Sequence, residues 1–336
     1  MFNKPLDFLA IGDMVTDAFI RLKDAKTHCS INHDSCELCV RFGDKVPFEF
    51  VEEVRAVGNS ANAAVSAARL GLRSGLMADI GGDQNGQLCL AELKKNNVST
   101  KFISTHHENK TNYHYVLWFE DERTILVKHE HFAYHFEAPA RAPRFVYLSS
   151  LGESALEYQL EIAAWLNKNP EIKVAFQPGT FQMSAGLDKL MPLYKRANIF
   201  FCNVQEAERI LKMPSGSDIK ELSRKIHEIG PKIVVITDGP KGAYVFDGAK
   251  PDELWFMPTY PDPKPPYERT GAGDAFASTF VAALALGKSI PEALAWGPIN
   301  SMSVVQQIGA QKGLLSRAAL EDFLKKAPAG YVAKKV

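Results

Sequence analysis

Short apolar runs alternate with stretches of helical spacing along most of the chain. Residues 6–12 form a compact apolar run closed by a glycine, the pattern of a buried strand. Residues 59–70 then carry apolar positions at helical spacing, with Gly71 as a stop. The strand-then-helix pair recurs at 75–80 and 84–96. Further apolar runs stand at 145–148, 172–176, 199–202 and 233–236, with helices predicted near 154–168, 186–196, 204–212 and 217–229. Strands apolar on both faces and separated by helices belong to a parallel sheet covered on both sides. The expected class is therefore α/β, a three-layer α/β/α sandwich with a mostly parallel central sheet.

Two stretches break the rhythm. Residues 14–50 hold alternating and polar segments without a clear helix, and residues 111–127 read as a hairpin around the charged turn Glu120-Asp121-Glu122-Arg123. Partial alternation suits a sheet with one wet face. The pattern predicts a single α/β domain over 1–336 with a small β-lid, discontinuous in sequence, drawn from about 14–50 and 105–135.

Composition narrows the function classes. The chain has 336 residues, 46% hydrophobic and 23% charged, which excludes a disordered chain, a collagen-like repeat and a coiled coil. Lys+Arg and Asp+Glu are both 39, so no overall field recruits nucleic acid or an anionic membrane. The first residues lack a signal-peptide core and no run approaches the ~18 apolar residues of a membrane helix, so a soluble cytoplasmic protein is expected. Five cysteines, an odd number, suggest reduced thiols. His28, Cys29, His33, Cys36 and Cys39 crowd together, and Cys36-Glu37-Leu38-Cys39 has a zinc-knuckle gap. No second Cys-x-x-Cys accompanies it, so lid thiols without structural zinc are expected. His129, His131 and His135 follow the hairpin and are expected to flank a hinge or a substrate mouth.

The most informative stretch is Glu268-Arg269-Thr270-Gly271-Ala272-Gly273-Asp274-Ala275-Phe276. It opens a helix that is apolar nearly all round. Small residues at a helix start leave backbone amides free to approach an anion, aided by the helix dipole. A carboxylate beside such a hole, Asp274, can take a proton from a hydroxyl while the hole stabilises a transferring phosphoryl group. A plain helix cap of small residues is the rival reading of the string taken alone.

With its partners elsewhere, this string resembles the C-terminal signature of the PfkB, or ribokinase-like, carbohydrate kinases. Residues 10–17, Ala-Ile-Gly-Asp-Met-Val-Thr-Asp, are similar to the family's first strand, and residues 57–64, Val-Gly-Asn-Ser-Ala-Asn-Ala-Ala, to its N-terminal signature. The resemblance implies substrate contacts from Asp17, Gly58, Asn59 and Asn62. Asp13, at the same strand end, joins them from its placement where open α/β sheets bind ligands. Asn203-Val204-Gln205-Glu206 resembles the Asn-x-x-Glu motif, which implies Mg²⁺ positioning by Glu206 through water. The same spacing is also that of a capping box. Residues 237–242, Thr-Asp-Gly-Pro-Lys-Gly, resemble the loop lying against the nucleotide, implying roles for Thr237, Gly239, Lys241 and Gly242. Asn300 and Gly309-Ala310 fit the C-terminal nucleotide-side segment.

Three departures stand out. Val57 replaces a glycine, Gln177-Pro178 stands where many members have Asp-Pro, and Glu268-Arg269 replaces Asp-Thr. The last region helps bind a monovalent cation in some members, so potassium stays an open cofactor. The implied function is ATP- and Mg²⁺-dependent phosphorylation of a hydroxyl, a primary CH₂OH by expectation, on a sugar-like substrate. Asp274 would be the base, and the amides at Gly271, Ala272 and Gly273 the anion hole. A nucleoside kinase of the same fold and a non-catalytic sugar- or nucleotide-binding regulator are the alternatives. Lids of this family often pair, so a homodimer through the lid is expected.

Overall fold

In the computed structural model, residues 4–29, 36–120 and 122–336 are described. The apolar runs assemble into one ten-stranded sheet. Its parallel part runs, edge to centre, Ser99–His106, Ser74–Gly81, Phe8–Ile11, Phe145–Leu148, Lys173–Phe176, Ile199–Asn203 and Ile233–Thr237. Three antiparallel strands, Ala243–Asp247, Leu254–Met257 and Lys334–Lys335, complete the far edge.

Side-chain alternation along the strands builds two cores. Phe8 and Ala10 face one side, against the helices Asn59–Arg69, Ala272–Ala285 and Ile290–Val304. Leu9 and Ile11 face the other, against Leu156–Lys168, Leu187–Arg196 and Ile219–Ile229. The three-layer expectation is met. Phe8–Ile11 pairs with Ser74–Gly81 on one side and Phe145–Leu148 on the other. The strand order therefore reverses there while the strands stay parallel, and the crevice beyond the strand ends at this switch point is where such sheets take ligands.

A separate four-stranded sheet has the order Phe48–Val57, Val15–Leu22, Tyr113–Phe119, Glu122–Leu126. The strand Phe48–Val57 runs past the expected limit at 50 and delivers Val57 and Gly58 to the next helix. The hairpin's second strand begins at Glu122, within the expected turn. Lys26–Cys29 and Cys36–Cys39 form a small ribbon of their own. Cys29 and Cys36 face each other across it and form a disulfide, which corrects the expectation that all five thiols are reduced. Two of the candidate zinc ligands are thereby spent on each other, Cys39 is free and exposed, and His33 lies outside the described residues. Among the described residues no helix is long and apolar enough to cross a membrane.

The helix Ile290–Val304 was not expected, because it contains Pro298. A proline inside a helix removes one hydrogen bond and crowds the preceding turn. Here burial outweighs that cost: Leu294, Trp296 and Ile299 are all within 1% of full burial.

Candidate active site

Strand ends bring the site residues together. Asp13 follows Phe8–Ile11, Gln177 follows Lys173–Phe176, Asn203 ends its own strand, and the 238–242 turn follows Ile233–Thr237. Gly271 caps the helix Ala272–Ala285 at φ 80°, and a Cβ there would lie 2.2 Å from that of Ala310. Only glycine meets both demands. The helix begins at Ala272, and Asp274 falls in its first turn.

Asp274 is buried with its carboxylate surrounded by amides. Asn59 Nδ2 donates to Oδ1 and Asn62 Nδ2 to Oδ2, each at 2.8 Å. Gln177 Nε2 donates to Oδ1 at 3.3 Å. A carboxylate offers about four lone-pair sites, so three donors leave one for a further proton donor. Burial pushes the pKa of Asp274 up, and the amides of Asn62, Asn59 and Gln177 pull against that rise.

On the other side of the same turn lies a cleft of about 360 Å³. Thr237, Gly239, Gly242, Tyr260, Phe276 and Met302 line it, with Ala272 and Gly273 at the anion turn. A Cβ on Gly273 would meet nothing within 4 Å, so its backbone is open to a ligand. The Ala272 amide donates to Arg269 O at 3.4 Å, a long bond that a phosphoryl oxygen can displace.

The substrate side departs from the expectation in detail. Gly58 has φ 108°, and a Cβ there would stand 2.8 Å from Asp13 O, so the glycine seats the helix Asn59–Arg69 against the first strand end. Asn62 spends its amide on Asp274 and its Oδ1 on Gln311 Nε2 at 3.0 Å. It holds the carboxylate, and both ends of its amide are engaged within the protein. Asp13 accepts from Gly152 N at 2.6 Å, Tyr134 Oη at 2.8 Å and His129 Nδ1 at 3.1 Å, and so knits the wall around it. Asp17 is the more open acceptor. Its Oδ1 is buried without a hydrogen-bond partner among the described residues, with His114 Nδ1 3.4 Å away. The rings of His114 and His129, 5.3 Å apart, and Phe181, 5.2 Å from His129, add an aromatic row. Of the three histidines named after the hairpin, His129 reaches this wall. His114 and Phe181 were missed, having no local motif.

Two nucleotide-side expectations, those for Asn300 and Lys241, are not met by side chains that line the cleft. Asn300 is fully buried, donating to Thr279 Oγ1 at 2.7 Å and accepting from Leu315 N at 2.9 Å. It ties core segments together while its neighbours Pro298, Ser301 and Met302 line the cleft. Lys241 points outward, its side chain 79% exposed and 3.5 Å from Asp238. Asn203 and Glu206 form the capping box: Glu206 N donates to Asn203 Oδ1 at 2.8 Å, and Asn203 N to Glu206 Oε2 at 2.9 Å. That leaves Oε1 of Glu206 outside the box. Burial, foremost, and the nearby charge of Asp274 raise the Glu206 pKa. A single hard oxygen on an ionised carboxylate suits Mg²⁺ held mainly by phosphates and reached through water.

The loop before the anion turn is organised by Glu268, which is 2% exposed. Its carboxylate accepts from Thr270 N at 2.6 Å, from Thr270 Oγ1, and from Gly309 N at 3.3 Å. Arg123 of the small sheet sets its Nε 3.4 Å from Glu268 Oε1, and Trp118 packs edge-on against Tyr267.

A parallel sheet with a switch-point crevice, a glycine-capped helix start and a buried carboxylate place the chain among the α/β proteins that take ligands at their strand ends. Residues 38–317 match the pfkB family carbohydrate kinases, and the chain belongs to that family, which makes it an ATP-dependent carbohydrate kinase. It is similar to the ribokinase of Bacillus subtilis (strain 168), 28% identical over 278 residues, covering 80% of this chain and 87% of that one. In structure it resembles Arabidopsis thaliana ribokinase complexed with ribose and ATP, at TM-score 0.79 and 21% identity over 96% of this chain and 99% of that one. It also resembles the nucleoside kinase of Methanocaldococcus jannaschii, at TM-score 0.76 and 17% identity over 96% of this chain and 100% of that one.

Proposed function

We propose that the chain transfers the γ-phosphoryl group of ATP to a hydroxyl of a sugar-like substrate, with Asp274 as the base. The observation that carries this reading is the back-to-back placement of Asp274 and the Gly273 turn. The carboxylate is held on one side by Asn59, Asn62 and Gln177, while Ala272 and Gly273, just before it in the chain, line the cleft. An alcohol bound on the wall side would donate its proton to the one open acceptor site of Asp274. ATP in the cleft would bring its terminal phosphate to the first-turn amides, where the helix dipole favours negative charge. Mg²⁺ bound with ATP would neutralise phosphate charge, with Glu206 as the residue that reaches it through water.

Asp17 would receive a substrate hydroxyl on its unpartnered Oδ1. The small sheet would act as the lid, excluding water so that ATP is not hydrolysed to no purpose. The row His114, His129 and Phe181 supports a second reading, since aromatic rings at the substrate wall suit a nucleobase.

The test is to incubate the purified protein with ATP and Mg²⁺ against a panel of sugars, polyols and nucleosides, following products by phosphorus NMR. One phosphorylated product formed in step with ADP is expected, and its identity separates the two readings. Retained ATP binding with no phosphorylated product from any alcohol would point to the non-catalytic regulator.

A further inference from the structure

A general base works only if its open lone pair is aimed at the reacting hydroxyl and its proton affinity is held in range. Asn59 and Asn62 reach Asp274 from the neighbouring helix, and Gln177 reaches it from the sheet. We propose that Tyr147 and Gln177 form a two-link relay that positions Asp274, a role that rests on reading Asp274 as the base.

The links are laid out by the sheet. Tyr147 and Ala175 are partners on adjacent parallel strands, and Gln177 stands just beyond the second strand's end. Tyr147 is fully buried and donates its phenolic proton to Gln177 Oε1. Burial, and then the charge of Asp274, push the Tyr147 pKa far up, so the phenol remains a donor. With its oxygen so engaged, the Gln177 amide can only turn its NH₂ toward Asp274 Oδ1. The flipped amide would set oxygen against carboxylate and leave the phenol proton without an acceptor. The tyrosine therefore chooses the amide orientation, and the amide supplies the carboxylate with a neutral donor.

The same geometry disfavours a glutamate at 177. Its carboxylate would face Asp274 at hydrogen-bond distance, and two like charges there cannot both remain ionised. The charge of Asp274 acts in turn on Tyr147 and Glu206, raising the pKa of each. From the helix Ile290–Val304, Ser301 reaches the turn by donating to Ala272 O, and it carries no charge.

The experiment compares wild type with Gln177→Leu, Gln177→Glu and Tyr147→Phe in the full chain, using the best substrate of the panel. Each is followed by kcat, KM for ATP, and kcat/KM against pH. A separate carbon NMR titration reads the Asp274 carboxyl without turnover. Loss of a donor to a carboxylate raises its pKa. Gln177→Leu should therefore lower kcat about tenfold and move the acid limb and the NMR titration upward by about half a unit or more, with KM for ATP within about twofold. Tyr147→Phe, which removes one buried oxygen and spares the fold, should shift both the same way by less. Gln177→Glu should lose more than Gln177→Leu. Limbs and titrations that superimpose on wild type for Gln177→Leu and Tyr147→Phe overturn the relay. If Asp274→Asn itself keeps wild-type turnover, the base assignment has failed instead.

Discussion

Single residues carry the site through close approaches that larger side chains cannot make. At Gly58 a methyl group would meet Asp13 O at 2.8 Å with φ at 108°. Gly58→Ala should destabilise the fold by about 1–3 kcal/mol and displace Asn59 from Asp274, which paired thermal unfolding and turnover measurements will show. Asp17 should behave differently. Its replacement by Asn keeps the volume and removes the charge, so KM for the alcohol should rise about tenfold while KM for ATP stays unchanged. Equal changes in both constants would remove Asp17 from the substrate wall. Asp274 and its glycines were legible because a helix start is a local signal: small residues, a carboxylate and an apolar run in one short string. Asn300 was misread because facing the cleft or the core depends on helix rotation against Thr279 and Leu315, which no nearby residue announces. His114 was invisible for the same reason, since its place beside Asp17 comes from the pairing of two strands far apart in sequence.

Elements meet at the loop before the anion turn. The hairpin strand Glu122–Leu126 brings Arg123 to the buried Glu268, whose carboxylate holds Thr270 and Gly309 in place. Removing one partner of a buried pair strands the other charge, the costly case. Arg123→Met should therefore lower kcat about tenfold, while Glu268→Gln, which sheds the stranded charge, should recover part of that loss in the double variant. Additive losses in that cycle would mean that the two residues act separately. The ribbon Lys26–Cys29 and Cys36–Cys39 gives a simpler check. Intact mass before reduction should be lighter than after it by two hydrogens, with Cys39 reacting with an alkylating agent in both states. That disulfide was not legible in the sequence because an odd cysteine count argues about the whole chain, whereas pairing depends on which two residues face each other across a ribbon. The strands and helices of the main sheet were legible from periodicity. The helix Ile290–Val304 was not, because its prolines argue locally against the helix that burial enforces.

The whole molecule is held by one sheet between two apolar layers, with a charged pair pinning the starts of two interior strands. Asp7 receives Arg73 Nε at 2.8 Å and Nη2 at 2.7 Å. Its pKa is lowered to about 2 from 3.8, the Arg73 hydrogen bond being the largest cause. A depressed carboxylate pKa stabilises the fold above the unfolded value and loses that contribution as pH falls through the folded one. The pair should thus contribute about 2 kcal/mol near neutrality, lost between about pH 4 and pH 2, and Asp7→Asn should flatten that part of the stability curve. Alternating strands and helices predicted the layers. They could not give the strand order, since the placement of Phe8–Ile11 between Ser74–Gly81 and Phe145–Leu148 is a long-range choice. That choice creates the crevice in which alcohol and nucleotide would meet across the anion turn. The central claim is tested most directly by Asp274→Asn, assayed for phosphoryl transfer alongside ATP binding. Loss of the acceptor should cut turnover by about 100-fold or more with ATP affinity retained. Turnover near wild type with ATP still bound would contradict the claim.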